Sequence, residues 1–390
     1  MTPRGLPTGT ITSTVTVPSL LRSRPHHPVL RRGPDGVQLG LMPGHAVEAT
    51  GLPRPLVDLL LELPGSWSRA ELLARARQLG ADEDDAAAVL DALYAAGAVQ
   101  DAAVAKRALA HRRGACVLVS GAGPLLGAVA GALAVAGVGT LYLATEAEAR
   151  PAAVPAPRSD PGLGAAAGST AAAGPSSSAA GPGSGSGIET VVAAVRELAP
   201  DARVRAGRPR RRPDLAVLTD LLAPDPERHR ELATRGVSQL VVRMADELGL
   251  VGPLVLPGRS ACLRCLDLHR ADTDPHWPAV SARLAGWVGS GSATTLAATA
   301  ALATEQALLA VDAVFRAEPP ATLDAVLELD LRGGGLRRRN RPPHPDCGCG
   351  AAHTRPGDTA RGATTSASVP RSGERDAVTG QAACTASGEQ

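Results

Sequence analysis

CVLVSGAGPLLGAVAGALAVAGVGTLYLAT (residues 116–145) decides how the rest of the chain is read. It begins as an apolar run entering a glycine-rich turn. Small and apolar residues of helical character follow, and a second apolar run closes the stretch. This order describes a β-α-β unit whose strand-to-helix turn lies where an α/β fold offers backbone N–H groups to a phosphate. Gly121 and Gly123 fit the first two glycines of a dinucleotide turn. The third position holds Leu126, with Gly127 one place late. A tight turn with no ligand is the competing reading of the same residues.

Downstream the alternation continues. IETVVAAVRELAP (188–200) has the pattern of a helix, DLAVLTD (214–220) of a buried strand, PERHRELATRG (226–236) of a helix and VSQLVVRM (237–244) of a strand. TLAATAALATEQALLAVDAVF (295–315) predicts a long helix and AVLELDL (325–331) a further strand. Such alternation implies a mainly parallel, Rossmann-like doubly wound sheet covered on both faces. Residues 150–187 are Pro, Ala, Gly and Ser with scarcely a large apolar side chain, too little to bury, and are expected to be a flexible insert. The tail, 351–390, is polar and expected to be disordered.

Upstream, residues 1–25 are polar, with Pro and Thr, and are expected to be disordered. Residues 26–104 describe a small winged-helix-like module. PVLRR, the turn GPDG and VQLGLM read as a hairpin, and AVEAT (46–50) as a third strand. Three helices follow: one from Pro55 to Leu63, one opened by the Ser68–Glu71 capping box, and one whose first turn carries the acids Asp82 to Asp85. The hairpin edge at Val37 to Leu41 is a candidate for strand addition by a peptide. A purely structural module is the alternative.

Six cysteines are present, and four are paired by spacing: Cys262 and Cys265 in CLRC, Cys347 and Cys349 in HPDCGCG. Two such thiolate pairs make a closed tetrahedral Zn²⁺ site, structural because no position is left open. His269 and His344 are near enough in sequence to act as reserve ligands. Four separate thiols are the alternative. Composition supports a cytoplasmic protein: 44% hydrophobic residues, a net charge of +2, no uninterrupted bilayer-length apolar stretch and no signal-peptide core. The near-neutral charge and 2% aromatic content argue against nucleic acid and against a membrane, and leave the arginine runs 208–212 and 337–339, beside loops, as solvated surface. Lys106 is the sole lysine, so any mechanism needing one has a single candidate.

Taken in order, GAGPLLGAVAGALAVAGVGTLYL, LAVLTD, the CLRC knuckle, TLAATAALATEQAL and the late cysteine pair resemble the ThiF/E1-like adenylyltransferases, which activate peptide or ubiquitin-like C-termini with ATP. The resemblance covers roughly 112–350, and its specific parts are Gly137 to Gly139, Thr219–Asp220 and the cysteines. PLVLPGRSACLRCLDLHRADTDPHWP (253–278) resembles the branch associated with cyclodehydratases of thiazole/oxazole-modified peptide (bacteriocin) biosynthesis. It implies a ThiF-type fold, a leader peptide and a cyclodehydratase as partners, and a homodimer. Carried over by position, Asp220 matches the acid that holds Mg²⁺ beside the adenylate. The ribose-binding acid falls on Thr145, with Glu146 adjacent. The phosphate-binding arginine falls in the insert, and the lysine falls near Gly187. No third cysteine lies between the two pairs to form a thioester. The expected function is therefore a leader-binding scaffold with eroded ATP chemistry. The alternative is an active ATP-dependent adenylyltransferase; a nicotinamide or flavin enzyme on the same turn is disfavoured by the missing acid at 145.

Overall fold

The structure is a computed structural model that describes residues 4–5, 17–145, 186–315 and 319–353. The N-terminal part holds two small sheets. β1 (Arg4–Gly5), β3 (Val29–Arg31), β4 (Val37–Leu39) and β5 (Val47–Ala49) pair in the order β1-β5-β4-β3. β2 (Leu20–Ser23) lies antiparallel between β6 (Ser66–Ser68) and β7 (Val99–Asp101). Two expectations are corrected here. Residues 20–23, read as part of a disordered start, form the middle strand of this sheet, with Leu21 buried. Their partners lie far along the chain, so nothing local announces them. Val37–Leu39 is not an edge either: β3 and β5 flank it, and the edge strands of this sheet are β3 and the two-residue β1.

Helices α1 (Arg54–Leu61), α2 (Arg69–Gln78) and α3 (Glu83–Ala95) pack on these sheets through Leu56, Leu60, Leu72, Leu90 and Leu93. The capping box forms: Ser68 Oγ accepts from the Glu71 N–H at 3.1 Å, and Glu71 Oε2 accepts from the Ser68 N–H at 2.7 Å. Asp82 accepts from the N–H groups of Asp84 and Asp85 and opens α3. Helix α4 (Ala102–Gly114) leads into the main sheet.

That sheet has eight strands. β8 (Cys116–Gly121), α5 (Pro124–Val135) and β9 (Thr140–Thr145) are the β-α-β unit; α6 (Ser186–Leu198) and β10 (Arg203–Ala206) extend it outward. The chain then returns to β11 (Leu215–Thr219), on the other side of β8, and continues through α7 (Pro226–Thr234), β12 (Ser238–Ala245) and β13 (Leu248–Val255). α8 (Leu263–Thr273), α9 (Trp277–Arg283) and α10 (Ala293–Val311) precede β14 (Ala325–Asp330) and β15 (Gly335–Asn340). The order is β10-β9-β8-β11-β12-β13-β14-β15. Strands β10 to β12 in that order are mutually parallel; β13, β14 and β15 are added antiparallel. The sheet is thus doubly wound, with a parallel half as read from the sequence and an antiparallel flank that was not. Arg337 to Arg339, read as lying beside a loop, belong to the outermost strand.

Leu126, Val129 and Leu133 of α5, Val192 of α6 and Ala303 and Ala307 of α10 bury one face of the sheet. Among the described residues α10 is the one helix long and apolar enough to cross a membrane, and half of the window that qualifies is buried inside this fold. The switch point, where the winding reverses, lies between β8 and β11. Such folds bind ligands outside the carboxyl ends of the strands at this point.

The Gly137–Gly139 motif has a local cause. Gly137 takes φ +89° as the chain leaves α5, a conformation that suits glycine. At Gly139 a Cβ would stand 1.7 Å from the carbonyl oxygen of Arg113. Gly139→Ala must push α4 away from β9 and is expected to cost about 3 kcal/mol, measured by urea unfolding.

Candidate functional site

The adjacency of β8 and β11 sets Asp220, just past the end of β11, beside the Gly121–Gly123 turn. Asp220 is fully buried and has φ +76°, which Asp tolerates better than most side chains. Its Oδ1 accepts from the Leu125 N–H at 3.0 Å, and its Oδ2 accepts from the Leu126 N–H at 3.3 Å and from Thr219 Oγ1 at 2.6 Å. The carboxylate therefore caps α5 in the seat that a helix N-terminus offers to an anion. The two glycines make room for it. A Cβ at Gly121 would meet Thr219 Oγ1 at 1.9 Å and Asp220 Oδ2 at 2.5 Å; one at Gly123 would meet Asp220 Oδ1 at 2.7 Å and Val288 Cγ1 at 2.8 Å.

The turn is also roofed. The Gly289 N–H donates to the Asp220 carbonyl at 2.8 Å, the Leu222 N–H donates to the Trp287 carbonyl at 3.0 Å, and Leu221 bridges Val288. Gly127 sits within α5 rather than in the turn. A Cβ there would touch Val191 of α6 at 3.4 Å, so its small size serves helix packing. Thr145 pairs in register with Gly121, while Glu146 lies outside the described residues.

The arginines nearest in sequence do not reach this turn. Arg112 precedes β8 and so lies at the opposite end of that strand, a run of six residues spanning roughly 20 Å. It is ion-paired to buried Asp312 and donates to the Ala136 carbonyl. Arg208 faces Glu231 of α7 at 3.6 Å.

The four paired cysteines meet. Cys262 is the N-cap of α8 and Cys265 lies in its first turn, while Cys347 and Cys349 follow β15. Sγ–Sγ distances are 3.8 Å for Cys262–Cys265, 3.6 Å for Cys262–Cys347 and 3.6 Å for Cys265–Cys349. A tetrahedron of sulfurs around an ion at ~2.3 Å has edges of ~3.8 Å, so the donor set fits one metal ion. The hydrogen bond from Cys262 holds the Cys265 thiol down at about 4, whereas burial pushes Cys347 up to about 11. Cys262, Cys265 and Cys347 are buried with Val255, Leu266 and Val326 in a small core of their own. Asp324 braces the first pair by accepting from the Ala261 N–H at 2.7 Å. His269 and His344 form a separate group with Asp272: their rings lie edge-to-face at 4.7 Å, and His344 Nε2 contacts Asp272 at 2.8 Å.

Beside the sulfurs a cavity of about 1220 Å³ opens between α7, α8 and α9. Arg243 of β12 lines it and was not singled out in the sequence. A charged residue inside the apolar strand VSQLVVRM was the available signal, because charge at an inward position of a central strand requires a reason.

The arrangement defines a class by its fold: a doubly wound sheet of ThiF/E1-like type with a four-cysteine cluster on its antiparallel flank. Solved structures agree. The microcin C7 biosynthetic enzyme MccB in complex with N-formylated MccA superposes with a TM-score of 0.55 at 12% identity, over 85% of this chain and 99% of that one. E. coli MccB with ATP gives 0.56 at 12% identity over 85% and 99%. A heterocyclase in complex with substrate and cofactor gives 0.53 at 15% identity, over 86% of this chain and 40% of the larger one. No protein-family model matches the sequence, and no curated protein matches it.

Proposed function

We propose that this chain is an E1-like leader-peptide-binding scaffold whose ATP chemistry has eroded, acting in the cytoplasm beside a separate peptide-modifying enzyme such as a cyclodehydratase. The observation that carries the reading is Asp220. Its carboxylate fills the anion seat of α5 under the roof of Val288, where a nucleotide phosphate would have to enter. Phosphoryl chemistry needs placed cations to neutralise charge, yet Lys106 lies on α4 before β8 and Arg112 is held by Asp312. The four-cysteine cluster would hold a structural Zn²⁺, fixing the chain after β15 to the start of α8.

The competing reading is an ATP-dependent adenylyltransferase. It is favoured by the place of Asp220 at the end of β11, next to the glycine turn, where an acid holding Mg²⁺ would be wanted. Pyrophosphate exchange with ATP, with and without peptide, separates the two. Little or no exchange is expected, and robust exchange overturns the scaffold.

For the peptide, the free edge at β3 and the groove beside α3 are the proposed surfaces. Among the solved neighbours, MccB has been captured with MccA and the heterocyclase with its substrate. Calorimetric titration of the full chain with a short precursor peptide encoded beside it should show micromolar binding. Heatless titrations with every such peptide would return the module to a structural role.

A further inference from the structure

Helix α8 carries its polar side chains of interest in one stripe. Cys265, His269 and Asp272 recur four and three residues apart, so they stand on one face, and Cys262 caps its start. Cys265 and Asp272 are roughly 10 Å apart along the axis. The chain after β15 runs along this stripe. His269 Nε2 meets the Pro342 carbonyl at 3.0 Å, and His344 Nε2 meets Asp272 Oδ2 at 2.8 Å. Cys347 and Cys349 then reach the sulfurs of Cys262 and Cys265. His344 also folds the turn that leads to them. Its ring Nδ1 accepts from the Asp346 N–H at 3.1 Å, and its carbonyl accepts from the Cys347 N–H at 3.1 Å. His344 is only 4% exposed, although Asp272 lies at the surface.

His269, Asp272 and His344 have the composition of a metal site, with donor atoms all within 4.8 Å of one another. The proton positions speak against one. A backbone N–H can only donate, so His344 Nδ1 is an acceptor and the ring proton sits on Nε2, which donates it to Asp272. A carbonyl can only accept, so His269 Nε2 also carries a proton. An ion bound at His344 Nε2 would drive a proton onto Nδ1, against the Asp346 N–H. We propose that this group is a metal-free clasp: His344, held by Asp272 and Asp346, positions Cys347 and Cys349 against α8 before any ion arrives. Sulfurs gathered in advance bind an ion without the entropic cost of ordering the chain that carries them. The consequence for metal affinity rests on the four-cysteine reading; the clasp itself does not.

The test uses the full chain, with inorganic Zn²⁺ and Co²⁺ as probes. In metal-free wild type the amides of Asp346 and Cys347 should exchange slowly with solvent deuterium, and in His344→Ala at least about tenfold faster. Zn²⁺ affinity, read by competition with a chromophoric chelator, should fall about 10- to 100-fold in His344→Ala, and less in Asp272→Ala. His344→Asn, whose side-chain oxygen can replace Nδ1 as acceptor for Asp346, should recover part of the loss. Should His344→Ala fail to fold, Asp272→Ala, changed at the surface, carries both comparisons. The thiolate-to-Co²⁺ absorption should be the same in wild type and His344→Ala, because the ion meets four sulfurs in both. A changed spectrum would overturn the clasp, as would a second equivalent of Zn²⁺ held by wild type and lost in His344→Ala. Fast amide exchange in metal-free wild type would do the same. So would wild-type Zn²⁺ affinity in His344→Ala, which would leave the bonds of His344 serving stability alone. If wild type binds no ion, amide exchange decides by itself: slow exchange keeps the clasp, and only the zinc reading falls.

Discussion

Cys262→Ser is expected to release the metal and take much of the stability of the antiparallel flank with it. Wild-type protein should carry one Zn²⁺ per chain by elemental analysis and the variant almost none. Binding free energy at a structural thiolate site is folding free energy, ~10 kcal/mol or more for the ion in small zinc domains. Losing one of four ligands should remove roughly 4 kcal/mol of it. For a domain of this size that is a fall of about 10 °C in melting temperature. The reason lies in what the sulfurs hold together. Cys262 and Cys265 start α8, Cys347 and Cys349 follow β15, and the surrounding core of Val255, Leu266 and Val326 is small. Chelator should bring wild type down to the level of the variant. A metal-free wild type that melts as high as a zinc-loaded one would end the zinc reading and leave four buried thiols in its place.

Asp220→Asn should move nucleotide affinity in a direction that tells scaffold from enzyme. The carboxylate now accepts from the N–H groups of Leu125 and Leu126 and neutralises the positive end of α5. Asparagine tolerates the left-handed backbone at φ +76° and keeps one acceptor, so the fold should survive with a loss of about 1–2 kcal/mol. If the carboxylate is a plug, its neutral replacement leaves the helix dipole without an anion, and ATP should bind severalfold tighter than to wild type. If Asp220 is a Mg²⁺ ligand, Mg·ATP should instead bind more weakly and any pyrophosphate exchange should vanish. Asp220→Ala is the harsher change. It orphans two buried N–H groups and the Thr219 hydroxyl at once, and should cost about 3 kcal/mol or more.

The parts of the molecule that were legible in the sequence share a local cause. The strand, glycine turn and helix at 116–135 announce themselves because period and turn chemistry change within a few residues. Ser68 with Glu71 marks a helix start for the same reason. The cysteines were legible because spacing alone restricts what two thiolate pairs can do. What was missed is non-local. Leu20–Ser23 becomes a strand only because Ser66–Ser68 and Val99–Asp101 arrive on either side of it. Val37–Leu39 loses its edge to a strand that follows it. Asp220 could be matched to a metal-holding position, but its actual partners, the N–H groups of Leu125 and Leu126, are set by the adjacency of β8 and β11, which no local pattern encodes. Arg243 was hidden in an apolar strand, where its charge becomes meaningful only once the cavity on that side is seen.

β15 has a consequence for assembly. It is the last strand of the sheet, exposed along nearly its whole length, and it carries Arg337, Arg338 and Arg339 in succession. Arg338 reaches back to the carbonyls of Ala321 and Leu323, and Arg339 to Glu328, so these side chains cover their own border. A second copy adding its own β15 here would set three guanidinium groups against three more. Like charges directly opposed across a ladder repel, and a charged border strand is a common way of refusing such growth. Two copies of this protein would therefore not join β15 to β15, and growth of the sheet across this border is closed to them.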